Sequence, residues 1–166
     1  MKVKNNLRMN ENIKKELAAA SLFPLTALMI ICAPNDLLSS YTLLSISKSF
    51  LSPALFIIVD MLVCYIAGIA FVLCTRYLKK GGTVTDIYNC RLLLITTLFF
   101  LHIWILLFVF ERSVFVSIEC ILLALIFSFF SVISFSKCGG VGFIATLLLT
   151  IWTLSLLIWN IGVIFA

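Results

Sequence analysis

Thr150–Ala166, TIWTLSLLIWNIGVIFA, carries two tryptophans and one asparagine and no charge. Extended back to Val141, it is long enough to cross a hydrocarbon core as one helix, since a span needs about 17 to 25 apolar residues. Four more stretches satisfy the same test: Leu17–Ala33, Ser52–Arg76, Ile87–Phe110 and Ser113–Ser136. With 63% hydrophobic and 11% charged residues and a mean hydropathy of +1.23, the chain lies far from the roughly 25% charge of soluble domains. The expectation is an all-α integral membrane protein, a bundle of five transmembrane helices over 17–166 preceded by a basic tail, 1–16. Breaks stand at Pro34-Asn35-Asp36, at Gly81-Gly82 before a cap at Thr85-Asp86, at Glu111-Arg112 and at Gly139-Gly140. The basic start ahead of Leu17 also suits a signal peptide, but LFPLTALMIICAP offers no small-x-small cleavage site.

Charge sets the expected orientation. With the N-terminus in the cytoplasm, ten basic residues (Lys2, Lys4, Arg8, Lys14, Lys15, Arg76, Lys79, Lys80, Arg91, Lys137) fall on the inner side and two (Lys48, Arg112) on the outer. A multi-pass plasma-membrane protein with its C-terminus outside follows. The net charge of +5 is then a topology signal and a contact for anionic lipid, not a sign of nucleic-acid binding.

On those limits Asp60, His102, Glu119 and Asn160 all lie roughly 9 to 12 Å below the outer boundary, at about 1.5 Å per residue. A polar layer inside the bundle is expected, because ionisable groups at such depth are costly unless paired or hydrated. The plainer alternative is interhelical hydrogen bonding or hydration near the interface. Arg91 reads as a snorkelling side chain, and the six cysteines, scattered singly, as small buried apolar residues. No CxxC, HxxH or HExxH spacing supports a metal, and no GxGxxG, Walker or GxSxG motif supports nucleotide or hydrolase chemistry.

Trp152, Ser155 and Trp159 stand at i, i+3 and i+7 on one side of the last helix, with Asn160 at its margin. Trp159 suits an interfacial aromatic belt. Trp152 is too deep for that and, in a pocket, would offer a flat wall and an indole N–H to a planar ligand. The expected lining is Trp152, Ser155, Asn160, Asp60, Met61, Tyr65, Phe99 and His102. The loop 34–51, with Leu37, Leu38, Tyr41, Leu43, Leu44, Ile46 and Phe50 among serines, reads as a lid contributing Tyr41 and Phe50, or else as an amphipathic segment on the membrane surface.

These residues resemble the tryptophan-rich sensory protein and translocator protein (TspO/MBR) family. Its fifth helix carries a tryptophan with an asparagine eight residues later, as do Trp152 and Asn160. YTLLSISKSFLSPALF, Tyr41–Phe56, is similar to its first loop, keeping Tyr41, Lys48, Phe50 and Pro53, and CYIAGIA, Cys64–Ala70, is similar to its LYxxMGxA. The family's third-helix pattern falls on Thr96, Phe99, Ile103 and Trp104. Departures are Met61 for the second-helix tryptophan, Ser52 for a proline, Thr96 for an asparagine and Leu148-Leu149 for Pro-Tyr. The resemblance implies a divergent five-helix membrane receptor for a hydrophobic planar ligand, a porphyrin or haem or a sterol, held under the first loop for sensing or transport. Haem or porphyrin would be a ligand, not an obligatory cofactor, and a homodimer is left open. Family members have been proposed to degrade porphyrin, but without the second-helix tryptophan a non-enzyme is expected. The alternatives are a substrate-binding membrane subunit of a vitamin-type transporter and an assembly protein with no pocket, in which AGIA (Ala67–Ala70) is a packing patch.

Overall fold

The computed structural model describes residues 23–24, 53–74, 83–111 and 113–164. Among them it is all-helical, with four helices long and apolar enough to cross a membrane. These are α1 (Pro53–Leu73), α2 (Val84–Ile105, running on as a π-helical turn, Leu106–Phe110), α3 (Val114–Cys138) and α4 (Gly140–Ile164). The basic tail 1–16, the loop 34–51 with Tyr41 and Phe50, and most of the expected first span Leu17–Ala33 lie outside the described residues. Within that span Phe23 and Pro24 are helical, and the Phe23 ring lies 5.5 Å from that of Phe71 on α1.

Local chemistry sets the ends. Pro53 opens α1, where its missing N–H removes no helical bond. Thr83, not Thr85, caps α2: its Oγ1 accepts from the Asp86 N–H at 3.2 Å and donates to Asp86 Oδ2 at 2.6 Å, so the helix starts three residues ahead of the expected Ile87. The π turn closes when the Glu111 N–H reaches back five residues to the Leu106 carbonyl (3.3 Å). Gly139 alone joins α3 to α4, at a φ of 138° that side chains with a Cβ rarely adopt.

Pairings across the bundle fix its handing of neighbours. Cys90 meets Cys138 and Phe100 stacks on Phe127, so α2 and α3 are antiparallel. Ser117 meets Asn160, so α3 and α4 are antiparallel. Asp60 meets Trp152 and Phe56 meets Trp159, which sets α1 antiparallel to α4. α1 packs mainly on α4, not on α2, the helix that follows it.

An apolar core that also encloses polar side chains is wrapped in an apolar surface. Asp60, Thr97, Ser117, Ser128, Ser131, Thr146, Thr153 and Asn160 are buried, while Ile58, Leu62, Phe99, Phe115, Phe129, Phe130 and Ile158 face outward. Water would penalise such a surface and lipid would not, so the chain is a multi-pass membrane protein. Most of the buried hydroxyls, Ser131 excepted, are satisfied within their own helices: Thr97 donates to Leu93 O, Ser128 to Leu125 O, Thr146 to Gly142 O and Thr153 to Leu149 O, at 2.8 to 2.9 Å.

Candidate functional site

The centre of interest lies toward the α2–α3 turn, where α1, α2 and α4 meet. Asp60 is fully buried on α1, and the Trp152 indole Nε1–H of α4 donates to its Oδ1 at 2.8 Å. Phe56, one turn before Asp60, contacts all three tryptophans, with centroids 5.6 Å from Trp152, 6.0 Å from Trp159 and 6.4 Å from Trp104. Trp104 stacks on Phe108 at 5.4 Å and meets Trp159 edge-on at 6.3 Å. Phe56 thus joins the three tryptophans in one aromatic cage, which the Asp60 carboxyl meets through Trp152.

Two polar atoms of this cage have no hydrogen-bond partner among the described residues. Among the described residues the buried polar side-chain atoms without a hydrogen bond are Asp60 Oδ2, the Trp104 indole nitrogen and Ser131 Oγ. An acceptor and a donor of the same cage are therefore unsatisfied, and each carries the desolvation cost of a buried unbonded group, about 1–3 kcal/mol. His102 is half-buried on α2, near enough to interact electrostatically with Asp60. Its Nδ1–H donates to the Leu98 carbonyl at 2.5 Å.

The expected single polar layer is instead two tiers. Asp60 is level with Trp152, whereas Asn160, eight residues and about 12 Å further along α4, donates its Nδ2–H to Ser117 Oγ at 3.1 Å. Ser117 in turn donates to the Val114 carbonyl at 2.7 Å. Glu119 belongs to neither tier. The buried stripe of α3 runs Ser117, Ile121, Ala124, Ser128, Ser131, Phe135, and Glu119, about 200° round the helix from Ser117, is exposed.

Of the other expected lining residues, Met61 and Tyr65 are half-buried on α1. Ser155 is half-buried and returns its hydroxyl to the Ile151 carbonyl at 2.9 Å. Phe99 does not converge: it is 58% exposed and sits edge-on to Phe100, because the buried face of α2 runs through Leu94, Leu98, Leu101 and Trp104. Trp159, expected in an interfacial belt, is buried against Phe56, Trp104 and Phe108. The Trp152 N–H, expected to await a ligand, is committed to Asp60; the unpartnered indole N–H is that of Trp104, which sequence reasoning missed as a site residue. The available signal was depth, since Trp104 lies six residues from the end of the third expected span, as Asn160 does in the fifth.

At the opposite end, Arg91 of α2 lies with Cζ 4.6 Å over the Phe71 ring and donates Nε–H to the Phe71 carbonyl at 3.4 Å. It occupies a carbonyl of the last turn of α1, a more specific role than snorkelling. Nearby, Cys90 and Cys138 bring their sulfurs to 3.3 Å, so these two cysteines, far apart in sequence, are not isolated in space.

No family model matches this chain, and neither a curated protein nor a solved structure does so.

Proposed function

We propose that this chain is a five-helix plasma-membrane receptor that holds a hydrophobic ligand with a planar or fused-ring body, of the porphyrin or sterol kind, in the cage of Phe56, Asp60, Trp104, Trp152 and Trp159. The observation that carries this is the unsatisfied pair, Asp60 Oδ2 and the Trp104 N–H, inside one aromatic cage. A ligand group that both donates and accepts, such as a sterol hydroxyl or a pyrrole nitrogen system, would answer both atoms at once, and the rings would supply the apolar contact. Because the rings touch one another, entry requires Phe56, which contacts all three tryptophans, to swing aside. Leu17–Ala33 would supply the fifth helix and 34–51 the lid, with the N-terminus in the cytoplasm and the C-terminus outside, as the basic residues favour. The resemblance to the TspO/MBR family supports the same ligand class, and sensing or transport would follow binding without turnover.

One observation favours the alternative of an assembly protein: the same ring contacts fill the centre. Titration separates the two. All three tryptophans of the chain belong to the cage, so intrinsic fluorescence reports on it directly. Purified protein in micelles titrated with protoporphyrin, haem and a sterol should show saturable, one-to-one quenching by at least one of them. Only linear, non-saturating change with all three would reject the receptor.

A further inference from the structure

The end of the bundle away from the aromatic cage carries a second chemistry. Cys74 closes α1, Cys90 stands in the second turn of α2 and Cys138 ends α3. Cys90 and Cys138 bring their sulfurs to 3.3 Å, close enough for one thiol to hydrogen-bond the other. The Cys74 thiol donates to the Phe71 carbonyl at 3.0 Å and lies within electrostatic reach of Cys90, Cys138 and Arg91. All three are free thiols. No group of three such ligands among the described residues is arranged to hold a metal ion, so the chemistry left to the close pair is that of two thiols.

We propose that Cys90 and Cys138 form a redox-active dithiol, a modification site that closes to a disulfide by exchange with a small-molecule disulfide from the adjoining aqueous phase. Cys138 is the entry point. It is the last residue of α3, it is half-buried where Cys90 is almost fully enclosed, and exposed Lys137, Gly139 and Gly140 flank it. The Cys138 sulfur, giving up its proton, attacks one sulfur of the small disulfide. The S–S bond breaks, and the departing thiolate takes that proton. The Cys90 sulfur then attacks Cys138 within the mixed disulfide, expelling the second small thiol, which takes the Cys90 proton. The two cysteine sulfurs lose two electrons in all, and one disulfide is reduced to two thiols. The bond would tie the start of α2 to the end of α3, two helices consecutive in the chain at their other ends, and so fix that hairpin at both ends.

The test uses the full chain in micelles or liposomes, with Cys32, Cys64 and Cys120 changed to Ser so that Cys74, Cys90 and Cys138 remain. After incubation with oxidised glutathione, free thiols are blocked in denaturant, the protein is reduced, and newly exposed thiols are labelled with a polyethylene-glycol maleimide. Two labels and a Cys90–Cys138 cross-linked peptide in the mass spectrum are expected, with Cys74 blocked throughout. Cys90→Ser should stop at a glutathione adduct on Cys138. The same peptide mapped in the unsubstituted protein removes dependence on how well the variants fold. A cross-link through Cys74, or Cys90 and Cys138 remaining blocked as in untreated protein, would overturn the proposal. Neither outcome bears on the aromatic cage.

Discussion

Trp152→Phe keeps an aromatic ring at the centre of the bundle and removes one donor. Asp60 Oδ1 then loses its 2.8 Å hydrogen bond and joins Oδ2, which has no partner among the described residues. Two magnitudes compete. A hydrogen bond to a charged group in a soluble protein is worth about 1.5–3 kcal/mol. Interhelical hydrogen bonds in membranes average about 0.6 and reach about 1.7 kcal/mol, because separated helices find other partners in the bilayer. Asp60 has poor alternatives, with Ile57, Ile58, Val59, Met61 and Leu62 around it and no serine or threonine within α1. The expected coupling is therefore toward the top of the membrane range, about 1–2 kcal/mol. The single substitution also trims ring area against Phe56, 5.6 Å away, so its total cost mixes packing with polarity. A double-mutant cycle with Asp60→Leu cancels that packing change. Reversible unfolding in mixed micelles, run on the parent, both single variants and the double, gives the coupling. A value below about 0.5 kcal/mol, the scatter of independent sites, would refute the view that this bond ties α1 to α4.

Asn160→Leu and Ser117→Ala should each lower stability by about 0.6 kcal/mol and should not add when combined, since they remove the same 3.1 Å bond. Ligand affinity should change little in either, and a large loss of affinity would place the second tier inside the site. Gly142→Ala would set a Cβ 2.6 Å from Cδ1 of the buried Phe135 ring, an overpacking cost of about 1–3 kcal/mol; Phe135→Leu in that background should recover part of it, and a neutral Gly142→Ala would show that the α3–α4 contact yields. Gly139→Ala, at a φ of 138°, should cost about 1–3 kcal/mol as backbone strain, read as a lower thermal midpoint.

The limits of the spans were legible because proline, glycine pairs and charge interrupt apolar runs. Pro53, Thr83, Glu111 and Gly139 mark helix boundaries within a few residues of those expected. Rotation was not legible. A helix facing lipid is apolar all round, so position along the sequence gives depth and leaves open which way a side chain points. Glu119 and Asn160 were assigned similar depths, yet one faces out and the other is enclosed. Phe99 and Trp104 stand five residues apart on α2 with opposite outcomes for the same reason. Pairings between helices were also hidden: nothing local to Cys90 announces Cys138, and nothing local to Asp60 chooses Trp152 over Asn160. The depth of Asp60, the one buried acid among the described residues, was the informative feature, because such a group must find partners inside the bundle, and one of them is found there.

The most direct measurement compares stability and ligand affinity in Trp104→Phe. Among the described residues this indole N–H has no partner, so removing it relieves a buried unsatisfied donor, about 1–3 kcal/mol, and offsets the ring area lost. The thermal midpoint should stay near that of the parent. In the complex the same N–H would bond the ligand, so affinity for whichever of protoporphyrin, haem or sterol the parent binds should fall roughly two- to twelvefold, from a net hydrogen bond of about 0.5–1.5 kcal/mol at about 1.4 kcal/mol per tenfold. A Trp104→Phe protein that is folded and binds that ligand as tightly as the parent would contradict the assignment of this cage as a binding site.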